Sequence, residues 1–279
     1  MPTKRHSAAF LALALAHPGC SVLDPTDDIQ DGASTTTSSS PDCGGLHGPA
    51  MVRVGDADYC IDSTEVSVAE YAEFVFEMDN KQVPTSGQER TACSSSNTSW
   101  RPGDNADWVP SEEEKPLPMT AIGWCDAFGY CAWAGKRLCG AIGGDRLDQV
   151  DLNNPERDQW YRACSENGKR TYPYDASDFD EQRCATYKNP ATGMAIQAAS
   201  AELDCEGGYP GIFNMIGNAA EYIDSCNADT GANDRCDARG GSFADQEALA
   251  SCNAERSDPE NFKSRHDGGA TVGFRCCSP

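Results

Sequence analysis

The 279-residue sequence predicts a mixed α+β fold that is irregular, turn-rich and stapled by disulfides. Three observations lead there. Turn formers recur along the chain, with 26 glycines and 16 prolines, while long periodic apolar runs are few. Only two stretches carry a clear helical pattern. The third observation is 15 cysteines: setting Cys20 aside leaves an even number, which suits a full set of bridges in an oxidising compartment.

The first 20 residues read as an export signal. Lys4 and Arg5 precede the apolar run from Ala8 to Ala16, and Gly19-Cys20-Ser21 follows it. The run is too short to cross a bilayer as a helix. Cys20 stands at the acceptor position of a lipoprotein signal, but His17 occupies the place usually held by an aliphatic residue. The segment therefore supports export more than lipidation. The expected location is outside the cytoplasm, as an outer-membrane or periplasmic lipoprotein or a secreted protein, with a lipid anchor as the only membrane contact. Residues 21–42 are polar and low in complexity, with Thr35-Thr36-Thr37-Ser38-Ser39-Ser40-Pro41 at their centre, and form a disordered linker. The folded domain is expected over 43–279.

Within that domain, Ala50–Val54 and Tyr59–Ile61 flank Gly55-Asp56-Ala57-Asp58 as a short hairpin. Cys43 is placed to reach Cys60 across its start. Ser67 and Glu70 form a capping-box pair, after which Val68, Tyr71, Ala72, Val75 and Met78 recur at helical spacing. A second helix is expected over Trp124–Trp133, with Gly135 as its left-handed cap and Ala127, Cys131 and Ala134 on its inward face.

Composition also excludes partners. The 22 basic and 44 acidic side chains give a net charge of −22, and loss of Lys4 and Arg5 with the leader makes it −24. Phosphate repulsion then argues against nucleic acid, and solubility is the simplest use of the charge. There is no Gly-x-Ser-x-Gly elbow, phosphate-binding loop or His-Glu-x-x-His helix. No Cys-x-x-Cys pair favours zinc, and the adjacent Cys276 and Cys277 are poorly placed to share one tetrahedral ion. A two-histidine iron site would need both His47 and His266, from opposite ends of the domain; exposed surface histidines are the better reading. Arg239 and Arg275 read as core-pinning residues, with an anionic ligand as the alternative.

Four segments in series resemble the formylglycine-generating enzyme family, also called the sulfatase-modifying factor family. They are Tyr59-Cys60-Ile61-Asp62-Ser63-Thr64-Glu65-Val66, Trp133-Ala134-Gly135-Lys136-Arg137-Leu138, Asn214-Met215-Ile216-Gly217-Asn218-Ala219-Ala220-Glu221-Tyr222, and Arg239-Gly240-Gly241-Ser242-Phe243 with Gly273-Phe274-Arg275-Cys276. The resemblance implies an irregular α+β fold related to C-type lectins. It also implies two bridges, Cys131 with Cys276 and Cys164 with Cys252, and a calcium cage from the Asn214 side chain, the Gly217 and Ala219 carbonyls and the Glu221 carboxylate. Asn218 would brace that turn. The competing reading is that the turn persists without metal and Glu221 makes a hydrogen bond or salt bridge.

The sequence departs from the family pattern in three places. A short helix usual after Leu138 is delayed to Asp158-Gln159-Trp160-Tyr161-Arg162-Ala163-Cys164 by an insertion, and Ala220 replaces a tryptophan. Above all, Ala244 to Ser251 contains no cysteine where the family's enzymes carry a redox-active pair. A thiolate is both ligand and nucleophile in that chemistry, and no carboxylate or amide replaces it. The expectation is therefore a binding or structural module without copper-dependent cysteine oxidation and with no copper, directed at a protein, peptide or glycan ligand. The alternative is an oxidase or other peptide-modifying enzyme using residues not identified.

Overall fold

The computed structural model describes residues 43, 47–78, 93, 99–105, 107–174, 178–200, 204–231, 233–254, 263–265 and 268–278. The export signal, Cys20, the linker over 21–42 and His266 lie outside these residues.

The expected hairpin forms strands β1 (Met51–Arg53) and β2 (Cys60–Asp62), paired antiparallel with Val52 opposite Ile61. Helix α1 (Val68–Met78) begins at the capping box. Glu70 accepts from the Ser67 backbone N–H at 2.8 Å, and the Ser67 hydroxyl accepts from the Glu70 N–H at 3.3 Å. Two of the helix's free N–H groups are thereby satisfied. Its buried face is Tyr71, Phe74, Val75 and Met78. Phe74 belongs there because it lies three residues after Tyr71 and four before Met78, whereas Ala72 stays partly exposed.

Helix α2 spans Trp124–Trp133, and Gly135 turns the chain at φ 72°. The Lys136 N–H then closes on the Cys131 carbonyl at 2.8 Å. Strand β3 (Arg137–Leu138) follows at once. The insertion after it is pinched at its base, where Gln159 N–H donates to the Gly140 carbonyl at 3.0 Å and Ile142 N–H to Arg157 at 2.7 Å. Its tip exposes Val150, so the added residues alter a surface and leave the core alone. The delayed helix α3 (Gln159–Cys164) is capped by the Asp158 carboxylate, which accepts from the Tyr161 N–H.

Two four-stranded sheets organise these parts. The first has the order β1-β2-β8-β3, all neighbours antiparallel, with the C-terminal β8 (Cys276–Cys277) between β2 and β3. The second has the order β6-β5-β4-β7, from β4 (Ala220–Cys226), β5 (Arg235–Arg239), β6 (Lys263–Ser264) and β7 (Val272–Phe274). Strands β4 and β7 run parallel, the remaining pairs antiparallel. Alternate residues of a strand face opposite sides of its sheet. Accordingly Cys276 joins the apolar cluster around Tyr71, Trp124 and Phe274, while Cys277 joins the one around Ile61, Trp160 and Ile212.

Seven bridges staple this framework: Cys43–Cys60, Cys93–Cys125, Cys131–Cys276, Cys139–Cys277, Cys164–Cys252, Cys184–Cys205 and Cys226–Cys236. At about 2–4 kcal/mol each they supply stability that such short strands do not. Backbone contacts are equally tight. Gly208, at φ 53°, sits so close to helix α3 that a Cβ would lie 1.7 Å from the Ala163 carbonyl oxygen.

Gly208→Ala is expected to destabilise the protein by more than about 2 kcal/mol, since both the left-handed backbone and the clash must be relieved. Gly103→Ala, at φ 60° but with open space around it, should cost only about 1–2 kcal/mol. Calorimetric melting of the two variants checks the difference.

Candidate functional site

The Asn214–Glu221 turn is shaped by backbone demands first. Asn214, Gly217 and Asn218 all have positive φ, at 57°, 72° and 52°. Asparagine and glycine are the residues that tolerate this. At Gly217 a Cβ would also lie 2.3 Å from the Ala185 carbonyl oxygen. The Asn-x-x-Gly-Asn spacing is thus a condition for the turn before it is anything else.

The two asparagines then recognise a buried carboxylate. Asn218 Nδ2 donates to Glu65 Oε1 at 2.9 Å, and Asn214 Nδ2 to Glu65 Oε2 at 3.1 Å. Asn218 also braces the chain through its Oδ1, which accepts from the Gln197 N–H at 2.8 Å. Beside Glu65 lies Glu221. Arg275 grips it side-on, Nε to Oε2 at 2.7 Å and Nη2 to Oε1 at 2.7 Å, and the Trp160 indole N–H adds a third bond at 2.7 Å. Arg275 also donates to the carbonyls of Asp62 at 3.0 Å and Phe213 at 2.8 Å. Next to it Lys136 pairs with Asp62 at 2.6 Å, both side chains fully buried.

This arrangement bears on the calcium cage implied by the resemblance. Asn214 Oδ1 is buried without a hydrogen bond, as a metal ligand would be. Glu221, however, already holds a guanidinium across both of its oxygens, and a cation there would face Arg275 at contact distance. The residues present do not fit a cage centred on Glu221; the carboxylate makes the salt bridge instead.

Three carboxylates, Asp62, Glu65 and Glu221, share two cations in this buried cluster. Burial pushes Glu65 up to about 7, Glu221 adding to the effect and Arg275 opposing it. Burial likewise pushes Asp62 up to about 7 against the pull of Lys136. Glu65 touches two amides and no cation, so it is the natural place for the cluster's proton.

The cysteine-free loop packs beside this turn. Phe243 N–H donates to the Asn218 carbonyl at 2.9 Å. Asp245 Oδ2 then accepts from both the Ser242 N–H at 2.8 Å and the Ser242 hydroxyl at 2.7 Å, closing a turn that Ala250 and Leu249 continue through bonds to the Gln246 carbonyl. The loop ends at Cys252, bridged to Cys164, and Arg239 Nη2 holds the Cys252 carbonyl at 2.9 Å. Arg239 and Arg275 therefore both serve the core, Arg239 also lying 5.5 Å from the Trp160 ring. The exposed His47 lies 4.4 Å from the Trp133 ring.

All fourteen cysteines from Cys43 to Cys277 are in bridges. The structure brings together Cys131 with Cys276 and Cys164 with Cys252, on either side of the site. Sequence reasoning had not assigned roles to Asp62, Glu65 and Lys136, although each stands in a segment that carries the family resemblance. Their signal was a charged residue inside an apolar or glycine-flanked run.

The sequence profile of the sulfatase-modifying factor enzyme 1-like domain matches residues 28–278. The chain belongs to the sulfatase-modifying factor family. Among solved structures it is similar to CarF, at 17% identity, covering 85% of this chain and 95% of CarF with a TM-score of 0.49. It is also similar to Treponema denticola variable protein 1, at 14% identity, 79% and 84% coverage and a TM-score of 0.43. No curated protein matches the chain. This sulfatase-modifying factor family member carries the asparagine turn, a Gly240-Gly241 approach to the loop and a Ser242–Asp245 clasp at the loop's start.

Glu221→Ala should cost about 3–5 kcal/mol, because it strands a buried Arg275 charge. Melting curves in calcium and in chelator should superimpose; a calcium-dependent rise that Glu221→Ala abolishes would return the turn to metal. Protonation gives a second expectation. Between the ordinary glutamate value near 4.5 and about 7, the native state binds a proton at Glu65 that the unfolded state has lost. That stability is full below 4.5 and is lost as pH rises through 7. Urea titrations from pH 4.5 to 7.5 should show it, and Glu65→Gln should flatten the decline.

Proposed function

We propose that this family member is an exported binding or structural module that does not carry out copper-dependent cysteine oxidation. The carrying observation is that every cysteine from Cys43 onward is spent on a bridge, while Ser242 and Asp245 clasp the loop where the family's enzymes place their reactive pair. Copper(I) in such chemistry needs thiolates, and a bridged sulfur is neither a thiolate nor a free nucleophile. The abundant disulfides suit an oxidising compartment, and no helix among the described residues is long and apolar enough to cross a membrane. Lipidation at Cys20, in this reading, tethers the domain to a membrane surface. The fold by itself does not confer activity; what it offers is a rigid frame for surface loops, fitted to a protein, peptide or glycan partner.

Titration of the native, oxidised protein with copper(I) should show no tight stoichiometric site. A sulfatase-type cysteine peptide incubated with the protein, copper and oxygen should remain unconverted by mass spectrometry. Tight copper binding by two native thiols with conversion of the peptide would put oxidase activity first.

A further inference from the structure

Between the chain leaving helix α3 and the segment around Gly207 lies a cleft of about 250 Å³, lined by Arg170, Tyr174, Arg183, Asp204, Glu206 and Tyr209. It adjoins the cysteine-free loop: Tyr174 stacks on Tyr172 at 5.7 Å, and the Tyr172 hydroxyl donates to Glu247 at 3.3 Å. Its walls are fixed in advance. The Cys184–Cys205 bridge joins the residue after Arg183 to the one between Asp204 and Glu206. Gly208 N–H and Arg170 Nη1 both donate to the Pro173 carbonyl, at 2.9 and 3.1 Å.

The cleft has a polarity. Tyr174 is buried, and the side chains of Arg170 and Arg183 are 27% and 39% exposed. Asp204 is 78% exposed, and Glu206 is exposed as well. Cations and rings thus form the floor and acids the rim. Arg170 is already engaged by the Pro173 carbonyl and the Glu166 carboxylate, so the donors left on the floor belong to Arg183 and Tyr174. Among the described residues the ion pairs of Arg183 are long, 3.7 Å to Asp180 and 3.6 Å to Asp204, and its guanidinium lies 5.5 Å from the Tyr174 ring. The Tyr174 hydroxyl accepts the Asp180 N–H at 2.9 Å, and its own proton has no acceptor among the described residues. Burial pushes Tyr174 up to about 12, so that proton is held at neutral pH.

We propose that this cleft binds a carboxylate carried on a body of amino-acid size, with Arg183 and the Tyr174 hydroxyl as donors. The guanidinium fork matches a carboxylate, and the tyrosine rings offer an apolar face to the body. An α-ammonium group on the ligand would meet Asp204 and Glu206 at the rim. The volume lies below the range of about 300–1,000 Å³ typical of drug-sized sites, so one residue fits. A free amino acid and the C-terminal residue of a peptide share this chemistry. The inference deepens the binding-module reading and rests on it.

Calorimetric titration of the full oxidised chain tests it with N-acetyl-L-phenylalanine, the corresponding carboxamide, L-phenylalanine, and a pentapeptide ending in phenylalanine. At least one of the three acids should bind saturably and the carboxamide about tenfold more weakly or not at all. A preference for L-phenylalanine would identify a free amino acid, and one for the pentapeptide a chain end. Arg183→Gln should weaken acid binding about tenfold with an unchanged melting temperature, and Arg157→Gln, at a separate surface ion pair, should change nothing. Tyr174→Phe, which keeps the ring and removes the hydroxyl donor, decides the case if Arg183→Gln fails to fold, by weakening the acid several-fold. No saturable acid binding, equal binding of acid and carboxamide, or indifference to both cleft substitutions would overturn the proposal. Such a failure with an inactive copper assay removes the cleft alone, whereas peptide conversion removes the binding-module reading itself.

Discussion

The Arg275–Glu221 pair is the interaction on which the remainder of this fold depends. Arg275 lies between strands β7 and β8, Glu221 in β4, and the additional bonds of Arg275 reach the end of β2 and the entry to the asparagine turn. One guanidinium therefore ties the first sheet to the second. Two such charges are costly to take out of water, and the cost is offset only when geometry is good and further hydrogen bonds complete both partners. Here both carboxylate oxygens and several guanidinium donors are engaged, with the Trp160 indole completing the set. Removing either partner would leave the other buried and unmatched.

The turn and the loop beside this pair are each held by bonds of their own. The Asn-x-x-Gly-Asn turn is required by backbone conformation and by Glu65, and the Ser242 turn by Asp245. None of these bonds uses a cysteine from the loop. The order of the loop resides in these local hydrogen bonds, and that of the frame in the ionic core and the bridges.

Much of the fold was legible in the sequence where local rules suffice. The Ser67/Glu70 box set the start of α1, and Gly135 set the end of α2, because capping acts within one turn. The Cys131–Cys276 and Cys164–Cys252 pairings were legible only through the family resemblance. Partners such as Cys139 and Cys277 are joined across 138 residues, and no local pattern encodes that distance. For Glu221 the sequence left a metal and a salt bridge both open, since sequence alone does not reveal that Arg275, 54 positions later, reaches it. The cleft escaped notice for the same reason: its lining comes from three separated segments, none of which carries a motif.

The position of β8 has a consequence for how this molecule comes into being. Its two cysteines are among the last residues of the chain, yet they fill the middle of the first sheet and send one sulfur into each apolar cluster. The first sheet is therefore incomplete until β8 inserts between β2 and β3, and neither bridge can close before it does.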